Sequence, residues 1–474
     1  MARLLSTCLL PSLLVLSTSI TLGHAKPLTS QEDEFEASPD SLKRFLHSAG
    51  LAEAEGMVVM GDMLVPRNLY QLHFNSSYVA PRKGIIDNLL WPSEGGGGPV
   101  IPYEFADERY RSEIEAGLRH WEQHTCLTFR PKTDVDTNWL TFIHGYGCWS
   151  YIGRQVNGQS VSIGTGCQSL GTVVHEVGHA IGLFHEQMRS DRDDYVVINW
   201  KNIPSEYESN FAKSTKFENN RSVPYDYTSI MHYGGRDFSS SGRATVAAKD
   251  PEHQGLLDRS QELSHRDKHL VNIMYRCIDR WQAACGSAVT CEGEGYVGRD
   301  CTCVCPPGRD GDRCEVITGD YYADSLPACS RTITTETNFT SPNYPGKIPL
   351  DAWCVYKVEA PDGQVPEVIF HSFSFHSSSN WCWDFLDVRD TDMHDGEVFC
   401  GSGIKEGQSF VGASRHLYLY LDVSTTSSQG FQAEVVFHDA SNPPEPKKGG
   451  VSGLTPSIVA VLVAFLVAQV FERF

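Results

Sequence analysis

The run His175-Glu176-Val177-Gly178-His179-Ala180-Ile181-Gly182-Leu183-Phe184-His185 carries the densest chemistry in this chain. On a helix, His175 and His179 stand one turn apart and face the same way, so two imidazoles can bind one cation. Glu176 sits beside them and can act on a water at the metal without being a ligand. Gly182 permits a sharp exit from the helix, which lets His185 swing back as a third ligand. Three imidazoles around zinc leave positions open for water and substrate, the catalytic rather than the structural arrangement. A lone histidine on a helix is ordinarily a plain core or surface residue. A joint match of this length, with a mechanical reason at each position, is not.

Residues 91–277 must supply the scaffold for that helix. They include a strongly amphipathic stretch in which Tyr110, Ile114, Leu118 and Trp121 recur at helical spacing, with Asp107 available as its cap. Strand-like runs follow at 127–130 and 139–143, so this domain mixes α and β.

The whole chain is 474 residues, too long for one core, and length suggests three or four domains. Its 41% hydrophobic and 21% charged residues are ordinary for folded protein. A net charge of −20 argues against a nucleic-acid partner. A basic start at Arg3, an apolar run over 4–16 and Gly23-His24-Ala25 read as a secretory signal, 1–25. Of fifteen cysteines, Cys8 falls in that signal and an even number remains, as suits an oxidising compartment. Cys126, Cys148, Cys167 and Cys277 are far apart; the six between Cys285 and Cys314 are crowded; Cys329, Cys354, Cys382 and Cys400 are evenly spread.

Residues 26–82 are charged and weakly patterned, as a prosegment would be. Residues 281–315 are too few for a core without disulfides. Over 329–438, short apolar or alternating runs such as 368–370, 385–388 and 417–422 are separated by turn residues, which suggests an all-β sandwich. Residues 439–453 read as a linker and 454–474 as an apolar tail. That tail is short for a ~30 Å hydrocarbon core. Small residues upstream fit a GPI signal, the charged Glu472-Arg473 ending fits a short span, and a buried terminal strand is the plain alternative.

Residues 185–193 (HEQMRSDRD), Ser229-Ile230-Met231-His232-Tyr233 and the cysteine-bounded loop 148–167 closely resemble the astacin family of metzincin zinc peptidases. The resemblance implies an α+β metzincin-type catalytic domain over 83–280. It implies His175, His179 and His185 as zinc ligands and Glu176 as general base toward the attacking water, then acid toward the leaving amine. Tyr233 would be a displaceable ligand that swings to stabilise the oxyanion, and Met231 an apolar floor beneath the metal. Glu186 would contact the new N-terminus after activation, and Cys126–Cys277 and Cys148–Cys167 would be paired. Val59-Met60-Gly61-Asp62 resembles the family's FxGD prosegment motif, with Val59 in place of Phe; Asp62 would then occupy the zinc in the zymogen. Gly-Asp is also a common turn, which is the competing explanation. Activation would cut near Arg82 or Lys83, and residues 94–99 (EGGGGP) exceed the family pattern.

Residues 301–308 with 311–314 resemble an EGF-like module, implying Cys285–Cys301, Cys291–Cys303 and Cys305–Cys314. Ser341-Pro342-Asn343-Tyr344-Pro345, Cys382-Trp383-Asp384 and Gly430-Phe431 resemble a CUB sandwich, implying Cys329–Cys354 and Cys382–Cys400. Many CUB domains hold Ca2+ through a Glu and two Asp. Here Asp384 fits, His376 stands at the Glu position and Asp422 is one residue out of place, so no calcium site is assigned. Asn75, Asn220 and Asn338 head glycosylation sequons.

The expectation is thus a secreted or surface-anchored zinc endopeptidase made as a zymogen, acting on extracellular proteins, with accessory modules that bind protein partners. The rival from another class is an adhesion protein with a dead protease domain, against which intact Glu176 and Tyr233 speak. Lys249 and Arg236 are candidates for a cation that selects acidic residues after the cut; a solvated charge is the commoner fate of either.

Overall fold

The computed structural model describes residues 56–74, 89–93, 97–215, 222–257, 259–286, 289–377 and 381–448. The expected signal 1–25, the activation site near Arg82 or Lys83, Asn75, Asn220 and the tail 454–474 lie outside the described residues. Among the described residues no helix is long and apolar enough to cross a membrane.

The first domain is built on a seven-stranded sheet. Its strands are β1 (Met57–Met60), β2 (Met63–Pro66), β3 (Val100–Phe105), β4 (Thr128–Pro131), β5 (Leu140–Ile143), β6 (Cys148–Tyr151) and β7 (Gln159–Ile163), in the order β1-β2-β6-β7-β5-β3-β4. Strands β4, β3, β5 and β7 run parallel, and β6 is antiparallel to β7. The hairpin β1–β2 then extends the sheet, with β2 parallel to β6. Helix α1 (Arg67–Phe74) follows it.

Two helices cover the sheet, α2 (Arg111–His124) and α3 (Leu170–Ala180). Ile114, Leu118 and Trp121 of α2 pack with Val173, Val174 and Val177 of α3, over Ile101, Phe142 and Val161 of the strands. Trp121 Nε1 also donates to the Val174 carbonyl at 3.1 Å. Asp107 does not cap α2. The helix starts at Arg111 behind Tyr110, whose φ is 57°, and Asp107 accepts from the Arg109 N–H at 2.8 Å, closing a turn three residues too early. By contrast α3 has a side-chain cap, Ser169 Oγ accepting from Thr172 N at 3.0 Å. Its β-branched residues and glycines are weak helix formers, so burial of its apolar face is what holds it.

Beyond α3 the chain turns into loops and short helices, with one ribbon of β8 (Val196–Ile198) against β9 (Val246–Ala248). Helices α4 (His265–Met274) and α5 (Cys277–Cys285) end the domain, and Cys126–Cys277 ties α5 back to α2. Cys148–Cys167 clips the loop between β6 and α3.

A small disulfide-rich region follows, held by Cys285–Cys301, Cys291–Cys303 and Cys305–Cys314. Its ribbons are β10 (Tyr296–Val297) with β11 (Cys303–Val304), and β12 (Arg309–Asp310) with β13 (Val316–Ile317). The last domain is a two-sheet sandwich. One sheet has the order β14-β16-β21-β18-β19, from β14 (Arg331–Ile333), β16 (Trp353–Glu359), β18 (Phe385–Arg389), β19 (Glu397–Phe399) and β21 (His416–Asp422). The other has the order β15-β22-β17-β20, from β15 (Thr337–Thr340), β17 (Gln364–Ser374), β20 (Ser409–Val411) and β22 (Gly430–Asp439). Phe370, Leu386, Leu419 and Phe431 fill the space between them, and Cys329–Cys354 and Cys382–Cys400 staple it. After β22 the chain stays on the sandwich: Ser409 N donates to the Lys447 carbonyl at 3.1 Å, and Lys447 N to Ser409 Oγ at 3.0 Å. Asn338 is exposed on edge strand β15.

Candidate metal centre

Helix α3 presents His175 and His179 on one face, and Gly182, at φ +108°, turns the chain so that His185 comes round to meet them. Asp62 arrives from the β1–β2 turn. Among the described residues this is the one grouping of three or more His, Cys, Asp or Glu ligand atoms, all within 4.8 Å of one another. His175 Nε2 lies 3.0 Å from His179 Nε2 and 3.3 Å from His185 Nε2. Asp62 oxygens lie 3.2 Å from His175, 3.0 Å from His185 and 3.6 Å from His179.

The tautomers settle what these atoms are. His175 Nδ1 is 2.7 Å from the Ile230 carbonyl and His179 Nδ1 is 2.8 Å from the Leu183 carbonyl. A carbonyl only accepts, so both Nδ1 atoms carry a hydrogen, and in the neutral ring each Nε2 keeps a lone pair. Burial would lower the His175 pKa, but the hydrogen bond to Asp62 and its charge outweigh that and raise it. Burial also holds His179 below its ordinary pKa and His185 down to about 4, so both are neutral near pH 7. Imidazole nitrogens and a carboxylate therefore converge on one point, an arrangement that repels unless a metal ion or a proton sits between them. A tetrahedral ion with ligand arms of 2.0–2.1 Å has edges of about 3.3 Å, which these spacings fit. Three imidazoles and one carboxylate suit zinc.

Four further groups stand around this point. Glu176 is 1% exposed, and its Oε2 has no hydrogen-bond partner among the described residues. Burial pushes its carboxyl well above the usual range, with the Asp62 charge adding. The Tyr233 hydroxyl is likewise without a partner among the described residues, and burial keeps it protonated. Its ring lies 4.4 Å from that of His185. Met231 runs beneath α3 with Sδ where a Cβ on Gly178 would come within 2.8 Å. Glu186 is buried and accepts from Arg189 Nη1 at 3.1 Å and Asp226 N at 2.9 Å; burial drives its pKa up to about 8 against the Arg189 charge.

Sequence reasoning passed over the residues that hold these in place. Asp267 is the N3 residue of a capping box on α4, a local pattern visible in Ser264-His265-Arg266-Asp267. Its carboxylate also accepts from Ser229 Oγ at 2.6 Å and Ile230 N at 2.9 Å, fixing the turn that carries Met231 and Tyr233. Gln187 Oε1 accepts from Tyr233 N at 3.1 Å, and Asn210 Oδ1 from Gly61 N at 2.8 Å. Gly61 has φ +64°, and a Cβ there would lie 2.3 Å from the Tyr233 hydroxyl. Only glycine fits on both counts. Nothing local in the sequence announces Gln187 or Asn210.

Asp62 is held by more than the imidazoles. Ser150 N donates to its carbonyl at 3.0 Å and Ile152 N to that of Leu64 at 3.1 Å, so β2 occupies the edge of β6. Met60, Met63, Val65, Leu69 and Leu72 bury themselves with Ile152 and Met188.

One expectation meets a different geometry. Arg236 does not offer a free cation: its guanidinium lies 4.0 Å over the Phe385 ring and donates to the Cys382 carbonyl at 3.0 Å. Lys249 is exposed. In the sandwich, Asp384 is fully buried and surrounded by donors: Ser424 N and Thr425 N at 2.9 Å each, and the hydroxyls of Thr425 and Ser428. Asp422 pairs with Arg259 at 2.7 Å and accepts from Tyr420 at 2.6 Å. The His376 backbone N–H donates to Ser428 Oγ at 2.8 Å.

The family model described as Astacin, a peptidase family, matches residues 90–276, and that of the CUB domain matches 329–435. Blastula protease 10 of Paracentrotus lividus is 40% identical over 361 residues, 74% of this chain and 58% of that one. Zinc metalloproteinase dpy-31 of Brugia malayi is 33% identical over 435 residues, 88% of this chain and 69% of that one. The chain spans a little over half the length of several curated relatives that it matches. Among solved structures, high choriolytic enzyme 1, a hatching enzyme zinc-protease from Oryzias latipes, is 34% identical and is covered in full by 42% of this chain, with a TM-score of 0.39.

Proposed function

This chain belongs to the astacin family, and from that premise we propose that it is a secreted zinc-dependent endopeptidase of extracellular proteins, made as a zymogen that Asp62 holds shut. The observation that carries the reading is the convergence of three imidazole nitrogens and one carboxylate on a point with tetrahedral spacing. Zinc bound there would polarise the scissile carbonyl and lower the pKa of water.

The chain's own residues do the rest. Glu176 takes a proton from the attacking water and passes it to the leaving amine, a role worth roughly 10²–10⁴-fold. The Tyr233 hydroxyl, protonated and unengaged, donates to the oxygen on which negative charge develops. Met231 supplies a dry floor beneath the histidines. In the zymogen Asp62 fills the place a substrate needs, and β2 takes the sheet edge along which an extended peptide would lie. Cleavage near Arg82 or Lys83 frees that segment, and Glu186, a buried carboxylate on the same loop as His185, receives the new N-terminus.

We assign 1–25 to a signal, 26–82 to the prosegment, 83–280 to the catalytic domain, 281–315 to an EGF-like module, 329–438 to the CUB sandwich and 439–453 to a linker. The tail 454–474 serves as a GPI signal or short anchor at a cell surface. The seven disulfides suit the oxidising compartment that secretion implies, and Asn338 is an accessible glycosylation site.

Glu176→Ala in the activated protein tests the reading. Zinc content and fold should be kept, while cleavage of a peptide library falls by about 10²-fold or more. A variant that cuts at close to the wild-type rate would overturn the assignment of Glu176.

A further inference from the structure

The sandwich is not a free appendage. Trp353, Phe385 and Tyr420 of its β14-β16-β21-β18-β19 sheet share one buried apolar cluster with Val246, Leu256 and Tyr233 of the catalytic domain. Trp353 lies so close over Gly255 that a Cβ there would come within 2.0 Å of its ring. A flexible tether would not need backbone against an indole.

Charge reinforces the contact. Asp395 of the sandwich is 4% exposed, with Oδ2 at 2.5 Å from Lys201 Nζ and 3.0 Å from Arg243 Nη2, and with Oδ1 accepting from Asn202 Nδ2 at 2.9 Å. Burial alone would raise its pKa, but these donors outweigh it and hold the carboxyl below its usual value. A carboxylate closed in by two cations of another domain is costly to uncouple, because separation leaves it or them unpaired until water returns. Arg259 makes a second such pair, with Asp422.

The third contact reaches toward the catalytic groups. Arg236 follows Tyr233 by three residues and is clamped by Phe385, Trp381 and the Cys382 carbonyl. Two residues further on, the Phe238 ring lies 5.4 Å from that of Tyr233. Arg243 closes the same loop onto Asp395 and the Gly396 carbonyl. The segment 233–243 therefore starts at a catalytic hydroxyl and is gripped at Arg236 and Arg243 by the sandwich.

Building on the reading above, we propose that the sandwich is a fixed part of the catalytic unit, a positioning element that holds the 233–243 segment and with it Tyr233. It acts within the chain before it acts on any partner. The test uses the full-length activated protein with Asp395→Arg, which disrupts the clamp without touching a catalytic group. Asp395→Glu is the conservative control, and Lys201→Ala with Arg243→Ala is the substitute should Asp395→Arg fail to fold.

Three readouts apply: solution scattering for docking, hydrogen exchange over 231–243, and kcat and KM on a short fluorogenic peptide. The clamp variant should extend in scattering, exchange faster over 231–243 and lose about tenfold in kcat, with KM within about twofold and zinc unchanged. Asp395→Glu should restore kcat. A detached sandwich with unchanged exchange and kcat would overturn the proposal. A sandwich that stays docked through both Asp395→Arg and Trp353→Ala would overturn it as well, because the contacts named would not be what holds it. A wild-type protein that cleaves no peptide would sink the peptidase reading, while scattering and exchange would still decide the brace.

Discussion

Asp62 and Asp384 each carry a carboxylate inward, in different domains and into opposite company. Around Asp384 every neighbour is a donor: two backbone N–H groups and two hydroxyls close on its oxygens. Around Asp62 the neighbours are imidazole nitrogens, and Glu176 Oε2 and the Tyr233 hydroxyl stand by without partners among the described residues. The first cluster is complete as it is. The second makes physical sense only with something added, first a cation and then a substrate. Buried acidity alone does not mark a functional site; acceptors facing acceptors do.

Removing a group from the incomplete cluster should cost rate and little stability. Tyr233→Phe deletes a hydroxyl that has no hydrogen-bond partner among the described residues, so the unfolding midpoint should hardly move. Loss of an oxyanion donor should lower kcat by about 10²–10³-fold. A drop in stability with kcat preserved would place Tyr233 in the same class as Asp384. The reverse is expected in the sandwich. Asp384→Ala strands four donors and should cost on the order of 3 kcal/mol of stability. Calcium should not restore it, and peptide kinetics of the folded fraction should stay unchanged. Rescue by calcium would show the site to be a cation site after all.

A smaller effect separates histidines that await a metal from histidines that are half-buried elsewhere in the domain. Burial lowers His124 and His269, away from the metal centre, to about 4. In the unfolded chain both take up protons near pH 6.5. Between pH 6.5 and 4 the unfolded state therefore binds more protons, and stability should decline as pH falls through that window. Thermal unfolding of His124→Gln/His269→Gln should show a flatter decline than wild type; an identical slope would mean these two rings do not contribute.

The same contrast explains what could be read from the chain. Three of the four gathered ligand side chains lie in one helix-and-turn pattern, where spacing alone decides which atoms share a face. Asp62 is 113 residues from His175, and only a short prosegment motif pointed to it. The supports were harder. Asp267 sits in a capping box that reads as a helix start, yet its second task, holding the turn before Met231, depends on contacts 37 and 38 residues away. Asn210 and Gln187 belong to short 3-10 segments with no periodicity to flag them. Asp107 looked like a cap because polarity was right, but the helix began later and the side chain found Arg109. The grip of the sandwich on Arg236 and Arg243 had no sequence signature, since complementarity between two surfaces leaves no local pattern. Arg236 therefore looked like a free cation.

The central claim is that the cluster around Asp62 is built for one zinc ion that the prosegment shields. Metal content by mass spectrometry of the purified full-length protein, of Asp62→Ala and of His179→Ala tests it directly. The account expects one zinc per chain in wild type and in Asp62→Ala, the latter gaining peptidase activity before any cleavage of the prosegment, and little or none in His179→Ala. Full zinc occupancy in His179→Ala, or a wild-type protein that takes up no zinc when offered it, would contradict the account.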